Sequence, residues 1–246
     1  MKNRDKWMPS KYVYRDRRLK GSRDGRELWV GSRLIADIVA AIYDQQLRRH
    51  SRGRLLDLGC GKAPLFIVYK DYASEVICAD WANTTNRSEH LDLECDLTRE
   101  LPFVANEFDT IILSDVLEHI PNPELLWSEI SRVLNSNGKV LVNVPFFYWI
   151  HEAPHDYYRY TEYALRRFVD RAGLKMVELD AIGGAPEIMA DLLAKNMLRV
   201  PRIGDPAARL VQWITSIFLA TRLGKRISRS TAETFPYGYF LVAQKP

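Results

Sequence analysis

Apolar and polar positions change their period along this chain. From 29 to 49 the residues Leu34, Ile35, Ile38, Val39, Ile42 and Leu47 fall at helical spacing, which predicts one amphipathic helix leading into a break at Gly53. Beyond it the pattern turns to short apolar runs: "RLLDLG" at 54–59, "EVICAD" at 75–80, "HLDLECD" at 90–96, "FDTIILSD" at 108–115 and "GKVLVNVP" at 138–145. These read as strands, and helical patterns lie between most of them, as at 123–134, where Leu125, Leu126, Ile130, Val133 and Leu134 share a face. Strands separated by helices form a parallel sheet with right-handed crossovers, so the expected class is α/β. Thr161 suits the N-cap of a helix running to about 172, with Gly173 past its end. "LKMVELDA" at 174–181 then reads as a sixth strand and "GYFLVAQK" at 238–245 as the last.

The segment 183–236 breaks this rhythm with two helical patterns, 186–198 and 206–223, separated by "RVPRIGDP". By ordinary loop lengths it is an elaboration. The expected organisation is a single domain over 1–246: a basic N-terminal arm and helix (1–50), a ligand-binding core (51–182), the helical insertion (183–236) and the last strand (237–246).

Composition narrows the class. The 246 residues are 47% hydrophobic and 27% charged, enough to bury a large core. Cys60, Cys78 and Cys95 are odd in number, and no two stand at metal-ligand spacing, so they read as free thiols in a reducing compartment. The N-terminal stretch has charge without a following apolar run, so a cytoplasmic protein is expected. The net charge of +4 is uneven: residues 1–54 hold 15 Lys/Arg against 6 Asp/Glu, 195–246 hold 9 against 2, and the middle holds 11 against 23. Basic ends of this kind can meet phosphates of lipid or nucleic acid, or can keep a surface solvated.

The stretch "LLDLGCG" at 55–61 ends the first strand of the parallel series, where such sheets bind ligands. Gly59 and Gly61 permit a tight turn and a close approach of ligand to backbone. A third glycine of the dinucleotide fingerprint is missing, as is the Gly-Lys-Ser/Thr of a phosphate loop. Asp57 would repel a pyrophosphate and attract a cation, so a nucleoside bearing an ammonium or sulfonium group suits the loop. Here the sequence resembles the class I S-adenosylmethionine-dependent methyltransferases, over roughly 50–180. The resemblance implies a Rossmann-like seven-stranded, mostly parallel sheet with an antiparallel last strand, to which this chain's own pattern adds a helical N-terminal arm and a helical insertion before that strand. It implies S-adenosylmethionine as cofactor, held by Asp57, Gly59, Cys60 and Gly61, by Asp80 and Trp81 at the ribose, by Asp96 and Leu97 at the adenine, and by Ser114 and Asp115 after the fourth strand.

The stretch "FFYWIHEAPHDYYRYT" at 146–161 follows the fifth strand at the end facing the cofactor. It gathers Tyr148, Trp149, Tyr157, Tyr158 and Tyr160 with two of the five histidines. A histidine oriented by a carboxylate is a suitable general base, which nominates His155 with Asp156 and makes His151 the rival; Asp156 could instead pair with Arg159. Tyr148, Tyr157, Tyr158 and Arg159 are the expected acceptor contacts. The stretch resembles a segment of methyltransferases associated with bacterial surface-polysaccharide and glycan biosynthesis, which implies a sugar hydroxyl as acceptor. Asp115, Glu118 and His119 at i, i+3, i+4 resemble a metal-binding pattern of ubiquinone-pathway and small-RNA methyltransferases, but aspartate replaces their first glutamate and no metal is expected. "SDVLEH" stands where base-nitrogen methyltransferases carry an Asn/Asp-Pro-Pro-aromatic motif, so nucleic acid is a weaker acceptor reading. An RNA methyltransferase and a catalytically silent binding module are the alternatives.

In the insertion, Leu210, Trp213, Ile214, Ile217 and Phe218 make an apolar face flanked by Arg209, Arg222, Lys225, Arg226 and Arg229. The run is too short to span a bilayer. It suits a cover for the core, a lid, a dimer contact, or peripheral docking on an anionic membrane at its inner face. The oligomeric state is not legible.

Overall fold

The computed structural model describes residues 1–82 and 89–246. It begins with a hairpin where a helical arm was expected: β1 (Tyr12–Arg15) pairs antiparallel with β2 (Arg18–Gly21). Asp16 and Arg17 at the turn both have positive φ, 49° and 61°. A two-residue hairpin turn of this hand usually advertises itself by Asn-Gly or Asp-Gly, and this one carries no glycine. The predicted helix follows as α1 (Arg33–His50).

Next come β3 (Gly53–Leu58), α2 (Phe66–Tyr69), β4 (Ala73–Asp80), β5 (Leu93–Glu94), β6 (Phe108–Ser114), α3 (Pro123–Val133), β7 (Leu134–Pro145) and α4 (Glu162–Arg171). After them lie β8 (Lys175–Ile182), α5 (Ala185–Met197), α6 (Gly204–Ala220), α7 (Arg222–Ala232) and β9 (Gly238–Gln244). The seven strands read from the apolar runs form one sheet in the order β5-β4-β3-β6-β7-β9-β8. β3 runs parallel to β4 and β6, with Asp57 opposite Cys78 on one side and Ile112 on the other. β9 runs antiparallel to β7: Asn137 N–H donates to the Lys245 carbonyl and Lys245 N–H to that of Gly138, both at 2.9 Å, so the start of β7 meets the end of β9. Leu56, Leu58, Ile111, Leu113, Val140 and Val142 are buried on the sheet among Leu126, Trp127 and Ile130 of α3 and Leu165 and Val169 of α4. Strand order reverses beside β3 and β6, and the carboxyl ends of those strands frame the crevice where such sheets take ligands.

The chain forms two compact units, one of residues 1–8, 46–180 and 239–246, the other of 9–45 and 181–238. In the second, Val30, Ala194 and Ala208 form a small core with Met197 and Leu198. Gln212 ties helix to chain there, its amide donating to the Val30 carbonyl at 2.7 Å and accepting from Leu34 N–H at 2.8 Å. The pattern at 206–223 is α6, and a further helix, α7, follows it from Arg222. Thr221 caps α7, its hydroxyl accepting from Gly224 N–H at 3.0 Å. A Cβ on Gly224 would stand 2.0 Å from the Phe218 carbonyl oxygen, so the sharp turn between α6 and α7 depends on glycine.

Candidate active site

The chain leaves β3 through Gly59 (φ 78°) and Gly61 (φ 51°), backbone that favours glycine. Gly59 N–H donates to the Ala79 carbonyl at 2.7 Å, fastening the turn to the end of β4. A Cβ on Gly59 would lie 2.4 Å from Val116 Cγ2, so the segment after β6 packs directly on the loop backbone. Asp80 at the end of β4 accepts from Gly61 N–H and Trp81 N–H, one on each oxygen, both at 2.8 Å. Each oxygen keeps a further lone pair, which is what accepting two vicinal hydroxyls requires. Burial pushes the Asp80 carboxyl up against those two bonds.

Asp57 does not stand open at the turn as a partner for a cation. It is buried, accepts from the Tyr69 hydroxyl at 2.6 Å, and is pushed by burial to about 7. Cys60 is buried too, its thiol 3.6 Å from the Gly61 carbonyl. Asp96 closes the turn after β5, one oxygen accepting from Thr98 N–H (3.0 Å) and the Thr98 hydroxyl (2.7 Å) and the other meeting Arg99 at 3.1 Å; the Thr98 bonds hold its carboxyl low. Leu97 beside it is buried. Ser114 ends β6 opposite Asn143 of β7. Asp115 takes φ 54°, its N–H donating to the Asn143 carbonyl (3.0 Å) and its carboxylate accepting from the Asn143 amide (2.5 Å). A non-glycine residue held in the left-handed region from two sides is a mark of functional sites. Asn143 and Tyr69, which fix these two carboxylates, carried no sequence signal.

The loop after β7 is stitched to the segment after β6. Glu118 O accepts from Tyr157 N–H (3.0 Å) and Tyr158 N–H (3.3 Å), Pro121 O from the Tyr158 hydroxyl (3.0 Å), and Leu117 O from the Tyr160 hydroxyl (3.0 Å). His155 and Asp156 do not form the expected pair. Asp156 is the loop's inner anchor, accepting from Arg159 at 2.6 and 2.8 Å and from His151 N–H at 2.8 Å, and the Arg159 guanidinium holds its carboxyl far below the usual range. Arg159 also donates to the Tyr148 and Trp149 carbonyls, so its role is to shape the loop. His155 instead has Nδ1 3.2 Å from the Tyr157 hydroxyl and its ring edge-on to Trp81 at 5.0 Å. Trp81 follows Asp80, so the histidine stands at the carboxyl end of β4. Trp149, Tyr157 and Tyr158 expose 40%, 44% and 40% of their surface, leaving ring faces for a ligand. Tyr148 packs its ring edge-on against His151 at 5.0 Å.

One cluster differs from the spacing read in sequence. Asp115 turns to Asn143, and Glu118 and His119 are joined instead by His151 from the loop. Glu118 is fully buried with neither carboxylate oxygen hydrogen-bonded, and burial pushes its carboxyl up. Burial pulls His151 down, yet Glu118 and Asp156 together carry it above the usual imidazole value. No spacing rule could add His151, because only the folded loop brings it to Glu118.

This is the architecture of the class I S-adenosylmethionine-dependent methyltransferases: a seven-stranded sheet with its glycine turn and acidic strand end at the switch point. Residues 56–142 match a family model described as a methyltransferase domain. A demethylmenaquinone methyltransferase of Renibacterium salmoninarum is 27% identical over 115 residues, 45% of this chain and 45% of that protein, so the match spans less than half of the relative. Among solved structures, the [4+2]-cyclase SpnF superposes with a TM-score of 0.57 at 19% identity, over 92% of this chain and 86% of its own. Phosphoethanolamine N-methyltransferase 2 of Haemonchus contortus, solved with S-adenosyl-L-methionine, superposes with a TM-score of 0.54 at 17% identity, over 91% of this chain and 58% of its own. A cyclase and an N-methyltransferase on one architecture show that the reaction must be argued from the site.

Proposed function

We propose that the protein transfers a methyl group from S-adenosylmethionine to a hydroxyl of a sugar, glycan or related small molecule. The observation that carries this reading is the loop after β7, which half-exposes the rings of Trp149, Tyr157 and Tyr158 and sets the Tyr157 hydroxyl against His155, as stacking and hydrogen bonding to a sugar require. The glycine turn and Asp80 would hold the donor. When bound, S-adenosylmethionine supplies an activated methyl group on a sulfonium, leaving the protein to align the acceptor and exclude water. The acceptor hydroxyl must lose its proton as the new carbon–oxygen bond forms, and in this reading His155 takes it. Two variants separate the parts. Asp80→Ala removes charge-assisted bonds worth about 1.5–3 kcal/mol each, so S-adenosylhomocysteine should bind at least about tenfold more weakly by calorimetry. His155→Ala should leave that affinity nearly intact and lower the single-turnover rate on a glycan acceptor by roughly 10² to 10⁴. Full activity in His155→Ala would remove the base, and label from the donor entering RNA alone would overturn the acceptor class.

The acceptor is met, in this reading, at an anionic membrane surface. No helix among the described residues is long and apolar enough to cross a bilayer. Leu210, Trp213, Ile214 and Ile217 of α6 are 49–61% exposed along one face, and Arg222, Lys225, Arg226 and Arg229 of α7 line one shallow pocket with Ser230 and Glu233. An apolar helix face followed directly by a four-cation face matches the boundary between acyl chains and anionic headgroups.

A further inference from the structure

A hydrogen bond between the two histidines of the Glu118 cluster accounts for their approach but not for the buried carboxylate beside them. His119 Nδ1 lies 2.7 Å from the His155 carbonyl oxygen. His151 Nδ1 lies 3.3 Å from both the Trp149 carbonyl and Asp156 Oδ2. Carbonyls and carboxylates only accept, so each Nδ1 carries a proton and each ring, in its neutral form, presents a lone pair at Nε2. These two Nε2 atoms are 3.1 Å apart. Glu118 Oε1 lies 3.8 Å from one and 3.7 Å from the other, too far for a hydrogen bond to either. Three electron-rich atoms therefore converge, one of them on a fully buried carboxylate without a hydrogen-bond partner. An added proton between the nitrogens would satisfy them and still leave the carboxylate orphaned.

We infer that Glu118, His119 and His151 form a binding site for a divalent transition-metal ion of the zinc class. The circle through three atoms separated by 3.1, 3.7 and 3.8 Å has a radius of about 2.1 Å, the length of zinc bonds to imidazole nitrogen and carboxylate oxygen. The Nδ1 contacts to carbonyl and carboxylate are the outer contacts that orient metal-bound histidines. Two imidazoles and one carboxylate select zinc-class ions over magnesium, which asks for oxygen ligands. Three protein ligands leave a further coordination position open. The ion joins the segment after β6, which supplies Glu118 and His119, to the loop after β7, which supplies His151. This inference stands apart from the methyl-transfer reading, because it is tested without donor or acceptor.

The test is a titration of tag-free, chelator-treated protein with Co²⁺, read by visible absorption. One equivalent should bind with ligand-field bands of an N/O site, Zn²⁺ should displace it, and Mg²⁺ should not. His119→Ala and His151→Ala should each weaken Co²⁺ binding by at least about tenfold. Because Glu118→Gln alters a buried carboxylate and could disturb folding, the partly exposed His151 is the deciding variant, with far-UV circular dichroism and the thermal melting temperature as folding controls. Absence of stoichiometric Co²⁺ binding, displacement by Mg²⁺, or unchanged affinity in a folded His151→Ala protein would each overturn the inference.

Discussion

Asp57 shows how one carboxyl in the sheet couples stability to pH. Burial raises it to about 7, whereas an unfolded aspartate titrates near ~3.9. Between those values the folded chain holds a proton that the unfolded chain has lost, so this contribution is complete below the unfolded value and is lost as pH rises through the folded one. Asp57→Asn keeps an acceptor for the Tyr69 hydroxyl and removes the titration. Its urea midpoint should therefore gain on wild type from pH 5 to pH 8, and a constant difference would show that Asp57 is ionised throughout. The sequence located Asp57 and the glycine turn at the end of the first parallel strand and Asp80 at the end of the next, because strand period and glycine punctuation are local. It could not show that Tyr69 turns Asp57 inward, that Arg159 takes Asp156 from His155, or that His151 reaches Glu118. Those are contacts between segments, and spacing does not encode them.

At the scale of elements, the strands were legible because each is a short apolar run bounded by polar residues, and α1 because its apolar positions keep one period. Two elements were not. The β1–β2 hairpin turns on Asp16 and Arg17, residues that pay for left-handed backbone without announcing it. The helix α7 is short and mostly basic and polar, with Leu223 and Ile227 its large apolar residues, although Thr221 and Gly224 in retrospect carry a cap and a close approach. Gly224→Ala forces a methyl toward the Phe218 carbonyl and should cost about 1–3 kcal/mol in the unit of residues 9–45 and 181–238. Affinity for S-adenosylhomocysteine, which the proposed function assigns to residues of the other unit, should not change. A wild-type melting temperature for this variant would mean that the helices can part without loss.

For the whole molecule, the uneven charge makes a statement that no single helix makes. If α6 and α7 dock on lipid, sedimentation with phosphatidylglycerol-containing vesicles should fall as salt rises, because exposed charges are screened beyond about 10 Å at 0.1 M. Neutralising Arg222, Lys225 and Arg226 together should reduce it severalfold. Equal pelleting with zwitterionic vesicles would defeat the electrostatic part, and salt-independent dimerisation through Trp213 would assign the apolar face to a second copy of the chain.

The position of β9 has a consequence for the order in which the molecule can be built. In the sheet it separates β7 from β8, yet in the chain it follows both, after three helices. On the ribosome β8 is therefore made before the strand that will join it to the sheet, and it must wait while α5, α6 and α7 emerge. During that interval β7 and β8 each offer an unpaired edge to other nascent chains. The helices between β8 and β9 thus set a delay during synthesis, and shortening that segment should reduce chaperone dependence and inclusion-body formation even where the finished fold is unchanged.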